Sequence, residues 1–271
     1  MTIEECWNIY RSEHLPTIID KRRQEAAWKR LSVLAKTKVE NVTPAVILRY
    51  VTKRGGGATA KRELATLRAS IRYCAKTGRI PAAPIIFANI VEKPRLRWCT
   101  IDEMRTLIVA AEAAGIGDFV RIMVLTGQRP GAVLTLRWSQ VDEHAQVVDF
   151  NRGVARAKKA GVLPIKGSLA AILDRLRETT GGVGYVLWGR KLRDIRRPWH
   201  NAITAAGLGW VTPHVLRHSV ATNLVKEGVP LNEVSKLLGH TSIVTTERVY
   251  VKYTPDYLTN SVGRLSASFG V

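Results

Sequence analysis

The stretch TPHVLRHSVATNLV, residues 212–225, sets two histidines and an arginine within five positions, His214, Arg217 and His218, at the head of a small apolar helix. Four chemistries can use such a cluster: a metal site, an acid/base pair, a phosphate clamp, or a solvated helix start. His214 and His218 have the i, i+4 spacing of a zinc helix. The zinc-protease pattern also needs a glutamate directly after the first histidine, and Val215 stands there. No acid lies nearby to act as third ligand, and Arg217 would repel a cation. No metal is expected.

Working outward, two further segments carry polar residues at the ends of short helices. PLNEVSKLLG ends at Gly239, directly before His240, and SIVTTERVYVKY carries Tyr250. Upstream, DFVRIMVLTG (118–127) is an apolar helix ending at Gly127, with Arg129 just beyond it. QVVDFN and AGVLPI flank the basic segment RGVARAKK and read as strands joined across a basic turn. SLAAILDRLRETTGG returns to helix. TIDEMRTLIVAAEAAG (100–115) opens a helix with a capping box, Thr100 and Glu103.

The N-terminal part reads differently. Residues 17–35 and 43–54 are helical, the second opened by the pair Thr43–Pro44. GGG at 55–57 interrupts the chain. Residues 59–78 form a third helix, with Leu64, Leu67, Ile71 and Cys74 at three- and four-residue spacing. Pro81, Pro84 and Pro94 punctuate a basic connector. The expected fold is mainly α with a small β-hairpin (α+β), in two domains: a helical unit over 1–94 and a larger unit over 95–271.

Composition narrows the function. Lys plus Arg is 42 against 22 Asp plus Glu, a net charge of +20. Residues 1–94 hold 18 basic and 8 acidic residues, and the remainder 24 and 14, so each part has a net +10. A polyanion would be attracted to both, as in a protein that embraces nucleic acid from two sides. No run of about 18 apolar residues exists to span a membrane, and the N-terminus has acids and no apolar core of a secretory signal. Cys6, Cys74 and Cys99 are scattered and odd in number, which fits reduced cysteines in a cytoplasmic protein. There is no GxSxG elbow and no Walker loop.

What remains is phosphate chemistry without metal or nucleotide. Such a site needs several cations to offset charge on a phosphodiester in its transition state. Arginine suits this, because its planar fork makes two hydrogen bonds to phosphate oxygens. A nucleophile, a base and an acid for the leaving oxygen complete it. The sequence offers Arg129, Lys158, His214, Arg217, His240 and Tyr250. Singly, each has an ordinary explanation: a salt bridge, a surface helix, a core tyrosine. It is their joint spacing that points to chemistry.

Three motifs in order, TGQRPGAVLTLRW, HVLRHS and LLGHTSIVTTERVY, resemble the tyrosine recombinases of the phage-integrase kind. The resemblance covers most of residues 95–258, and ATAKRELATLRASIRYCAKTG more loosely resembles the family's helical core-binding domain. It implies a site-specific recombinase that cuts and rejoins DNA through a 3′-phosphotyrosine, integrating or excising a phage or mobile element. Arg129 and Arg217 would grip the scissile phosphate. His214 would support it and help take the tyrosine's proton. His240 would donate a further hydrogen bond, Tyr250 would attack phosphorus, and a hairpin lysine would protonate the departing 5′-oxygen. No cofactor is implied.

Lys158 and Lys159 both fit the hairpin. The family's lysine lies an even number of residues before the proline ending the next strand, and Lys158 is six before Pro164 where Lys159 is five. Alternation along a strand therefore selects Lys158. Tyr250, ten residues past His240, has the family's spacing, and Tyr253 is assigned to packing. His218 matches the family as a structural residue. Ala132 stands where many relatives carry an acid three residues after the first arginine, which alters the surroundings of the site but removes no reacting group. Trp138, Trp188, Trp199 and Trp210 are assigned to packing.

The implied partners are double-stranded DNA with a specific recombination site, a homotetramer on that DNA, and accessory bending or directionality factors. Localisation is expected in the cytoplasm, on the nucleoid. The tail DYLTNSVGRLSASFGV has spacing suited to docking on a neighbour or folding back on its own domain. A separate arm-binding domain is expected to be missing. A relaxing enzyme of the type IB topoisomerase kind and a catalytically silent DNA-binding regulator are the competing readings.

Overall fold

The computed structural model describes residues 1–55, 57–84, 86, 97–153, 160–190, 194–253, 266, 268 and 269. The chain divides into two compact units, Met1–Arg95 and Leu96–Val271.

Four helices build the first unit: α1 (Ile3–Glu13), α2 (Lys21–Leu31), α3 (Pro44–Lys53) and α4 (Gly57–Lys76). Helix α1 went unrecognised in the sequence, although its signal is there: Thr2 accepts from the Glu5 amide at 3.2 Å and Glu5 from the Thr2 amide at 2.7 Å, a complete capping box. Helix α4 buries Leu64, Leu67, Ile71 and Cys74 against α1 and α2, the stripe its spacing predicts. Trp7 and Trp28 stack with centroids 5.1 Å apart. Glu63 is buried in the same helix. Arg54 grips its carboxylate through Nη2 at 2.7 Å and Nε at 3.0 Å, and the Tyr50 hydroxyl donates at 2.7 Å. Such a charge persists in a core because both carboxylate oxygens find donors, one of them a cation.

In the second unit, α5 (Ile101–Ala113), α6 (Gly117–Thr126) and α7 (Pro130–Leu134) lead into a small sheet. They are followed by α8 (Ser168–Thr180), α9 (Arg196–Ala205), α10 (Pro213–Lys226), α11 (Leu231–Leu238) and α12 (Ile243–Tyr250). The sheet has three antiparallel strands in order: β1 (Val141–Asp142), β2 (Val147–Asp149) and β3 (Val162–Pro164). Two strands were expected. The third, β1, is only two residues long, too short for alternation to register in sequence. Val148 pairs with Leu163, and both are buried in the core with Phe119, Met123, Leu107 and Trp199. Trp138 and Trp199 are buried; Trp188 and Trp210 pack partly buried against the same core. The fold is mainly helical with a small sheet, as the sequence pattern implies.

Helix α10 is the hub. Its hydroxyl and amide side chains capture the entering chain: Ser219 Oγ accepts the Cys99 amide at 2.8 Å, and Asn223 Nδ2 donates to the Cys99 carbonyl at 2.9 Å. Its other face joins α11 and α12 in a cluster of Ala221, Val225, Val234, Leu238 and Tyr250.

Candidate active site

Arg217 lies on α10 with only 7% of its surface exposed. A buried guanidinium needs acceptors, and two segments supply them. Nη1 donates to the Gly127 carbonyl at 2.8 Å, and Nη2 donates to the Leu238 carbonyl at 2.8 Å and approaches His240 Nε2 at 3.4 Å. Both carbonyls end helices, α6 and α11, whose last C=O groups lack partners within the helix. Gly127 and Gly239 turn the chain there with left-handed backbones, φ 61° and 62°. Two helix C-termini thus point their negative ends at one arginine.

Gln128 locks the same corner. Fully buried, it donates from Nε2 to the Leu237 carbonyl and accepts the Gly161 amide at 3.2 Å. It ties the loop bearing Arg129 to the end of α11 and the start of β3. Sequence reasoning passed over it, because one glutamine between Gly127 and Arg129 has no period to betray burial. Arg129 follows as the N-cap of α7, fixed by Pro130 at the first helical position. Burial lowers its pKa. Burial first, then the charge of Arg129, pushes Arg217 down to about 10. Even so, both stay cationic near neutral pH, and they stand close enough to repel. Two guanidiniums held close enough to repel favour an anion beside them.

His240 lies beside Arg217. Burial, Arg217 and Arg129 lower its pKa, so it is neutral near pH 7. Nδ1 lies 2.8 Å from Thr246 Oγ1. That hydroxyl can donate or accept, so it permits either tautomer, and a proton on Nε2 is the one that could be offered to a ligand.

Tyr250 ends α12 with 5% of its surface exposed. Its hydroxyl lies 3.1 Å from His218 Nδ1, with ring centroids 5.1 Å apart. Burial raises its pKa to about 12, although Arg217 pulls the other way. Tyr253 packs edge-on against Trp98, centroids 4.8 Å apart. His214 is exposed in the first turn of α10, where Thr212 caps the helix and Pro213 opens it. Arg217 and His218 follow three and four residues on, so the three share a face.

Of the six residues singled out from the sequence, Arg217, His240 and Tyr250 come together around α10, Arg129 reaches Arg217 and His240 through its charge, and His214 stands one turn away. Lys158, with its competitor Lys159, lies outside the described residues, as does nearly all of the C-terminal tail. His218, set aside as structural, touches the tyrosine directly. Among the described residues no three His, Cys, Asp or Glu side chains converge as a metal site needs, and no helix is long and apolar enough to cross a membrane.

Gly239 carries the tightest packing of the site. A Cβ there would lie 2.4 Å from the Ala160 carbonyl carbon and 2.5 Å from its Cα, and the backbone is left-handed. Gly239→Ala is expected to cost at least about 1–3 kcal/mol from the backbone alone. It should lower the melting temperature and displace His240; a variant as stable as the wild type would contradict this packing.

The model of the phage integrase family matches residues 97–256. The tyrosine recombinase XerC of Chlamydia trachomatis is 26% identical over 222 residues, 74% of this chain and 69% of its own. The integrase of Salmonella phage P22 is 24% identical over 269 residues, 93% of this chain and 67% of its own. Among solved structures, the Tn1549 transposon integrase in complex with transposon right end DNA superposes with a TM-score of 0.78 at 15% identity, covering all of both chains. A lambda integrase tetramer bound to a Holliday junction gives 0.69 at 18% identity over 96% of this chain and 80% of that one. At these identities the two structures speak for the fold alone.

Proposed function

The chain belongs to the phage integrase family of tyrosine recombinases, and from that premise we propose that it cuts and rejoins duplex DNA at a specific site through a 3′-phosphotyrosine on Tyr250. The observation that carries the reading is the convergence on α10. Arg217 reaches the helix end beside Arg129 and the helix end beside His240, and Tyr250 packs one residue along. Sequence-distant motifs meet where the charge of Arg129 reaches Arg217 and His240.

Each group then has a task. Arg129 and Arg217 bind the non-bridging oxygens and stabilise the charge that grows on them. His240 donates to the same phosphate. His214 supports it from the first turn of α10. Tyr250 attacks phosphorus, and the bond to the 5′-oxygen breaks. Lys158, from the segment between β2 and β3, gives that oxygen its proton. The phosphodiester's energy is kept in the protein–DNA bond, so the reverse step needs no nucleotide. The helical first unit holds the DNA together with the second. The assembly is a tetramer on DNA in the cytoplasm, with accessory factors setting direction, and the element served is a phage or another mobile one.

The test is covalent capture. A pool of nicked duplexes with a randomised centre, incubated with the full chain, should yield protein–DNA adducts that survive denaturant and form in EDTA, with the DNA mapped to Tyr250. Binding without any adduct would favour a silent regulator.

The leaving step is tested separately. Lys158→Ala should slow cleavage about 10²-fold, the usual scale for losing a general acid. A substrate with sulfur bridging at the 5′ position leaves without a proton and should restore the rate. If the rescue appears with Lys159→Ala and not Lys158→Ala, the role passes to Lys159.

A further inference from the structure

We propose that His218 is the proton acceptor for Tyr250, a catalytic role that rests on Tyr250 being the nucleophile. The phenol must shed its proton as it bonds to phosphorus, and its hydroxyl is buried. Among the described residues, its hydrogen-bond partner is His218 Nδ1, at 3.1 Å. Arg217 and Arg129 cannot accept, since a guanidinium has no lone pair to offer. His240 is turned elsewhere, with Nε2 toward Arg217 and Nδ1 toward Thr246. His214 is solvent-exposed in the first turn, which suits it to the phosphate and not to a buried hydroxyl.

The helix itself makes the arrangement exact in register. His218 directly follows Arg217, so one turn of α10 presents the phosphate grip to the site and the imidazole to α12. Thr222 Oγ1 donates to the His218 carbonyl at 2.9 Å, and Ser219 fixes the neighbouring turn to Cys99. The imidazole thus stands on a rigid element, as a proton acceptor for a single geometry should.

The step balances. The hydroxyl donates to Nδ1, with the ring's own proton on Nε2. As the bond from Tyr250 Oη to phosphorus forms, the Oη–H bond breaks and the proton moves to Nδ1. The bond from phosphorus to the 5′-oxygen breaks, and that oxygen takes a proton from Lys158. The imidazolium left behind is offset by the negative charge growing on the phosphoryl oxygens. In rejoining, the 5′-hydroxyl attacks and gives its proton back to Lys158, the phosphorus–Oη bond breaks, and Nδ1 returns its proton to the phenol. No oxidant, reductant or further reactant enters.

The experiment measures adduct formation on the duplex that the wild-type chain selects from the nicked pool. His218→Asn and His218→Gln keep polar atoms near the ring nitrogens but cannot take up the proton. Both should bind that duplex as the wild type does and form adduct about 10²-fold more slowly or worse. Fluorotyrosine at position 250, a more acidic phenol, should shrink the penalty of His218→Asn, a rescue that a merely structural histidine would not permit. Adduct at the wild-type rate in either variant, or a penalty that fluorotyrosine leaves unchanged, overturns the proposal. If both variants lose DNA binding, fluorotyrosine in the otherwise wild-type chain decides. A small change in rate supports a base already sharing the proton, and a large acceleration overturns it. Failure of the recombinase reading looks different, because then the wild-type chain itself forms no adduct, or forms it elsewhere, and the proposal falls with it.

Discussion

Tyr250→Phe is expected to abolish the denaturant-resistant protein–DNA adduct while leaving DNA binding intact. The substitution removes one oxygen. The ring stays in the cluster of Ala221, Val225, Val234 and Leu238, so packing is preserved, and the loss of the contact to His218 should cost about 1 kcal/mol. The chemical loss is total, because phenylalanine has nothing to bond to phosphorus. A free phenol, with a pKa of about 10, is a weak nucleophile near neutral pH, and burial makes this one weaker still by raising it to about 12. Tyr250 is therefore stored neutral. It becomes competent only when a phosphate sits against Arg129, Arg217 and His240, and charge builds where the two arginines already stand. The same logic makes Tyr253→Phe harmless to the adduct, since that ring packs against Trp98. Capture of the adduct from Tyr250→Phe, with the peptide mapping elsewhere, would remove the nucleophile from this position.

The sequence made the periodic helices and the three motifs legible, for physical reasons that also explain what it hid. Helix α4 declared itself through Leu64, Leu67 and Ile71, because a buried face must recur at helical spacing. Gly127 and Gly239 marked helix ends, because the left-handed turn at each is a backbone state that glycine adopts freely. Arg217, His240 and Tyr250 were recognisable from type and spacing. Their mutual fit was not, since it depends on two carbonyls, of Gly127 and Leu238, that any residue could supply. Gln128 was invisible for the same reason: its partners are the backbone of Leu237 and Gly161. The contact of His218 with Tyr250 was not legible, because only the packing of α12 reveals which side chain of α10 meets the tyrosine. Helix α1 carries a legible signal in its capping box, Thr2 with Glu5.

DNA affinity is expected to fall steeply with salt, by about 10³–10⁵-fold between about 50 and 200 mM if roughly six to ten phosphates are neutralised. The net charge of +20 is shared evenly, +10 on residues 1–94 and +10 on the remainder. In the first unit, Arg23, Arg30, Arg54 and Arg62 line one concavity of about 490 Å³. Glu63 pairs with Arg54 and Asp20 with Arg23 there, and Arg30 and Arg62 add further positive charge. In the second unit, Arg129 and the buried Arg217 stand close enough to repel, which a bound phosphate would relieve. Each phosphate met by such cations releases condensed counterions, and adding salt opposes that release. Burial of apolar surface has no such dependence, so the slope separates the two driving forces. Anisotropy of a labelled duplex, titrated at several salt concentrations, gives the slope directly. Because both units carry the charge, fragments separated near Pro94 should each bind weakly and each with a shallower slope than the intact chain. A slope near zero would mean that the basic surface does not meet the phosphates, and it would remove the electrostatic basis for placing duplex DNA on both units.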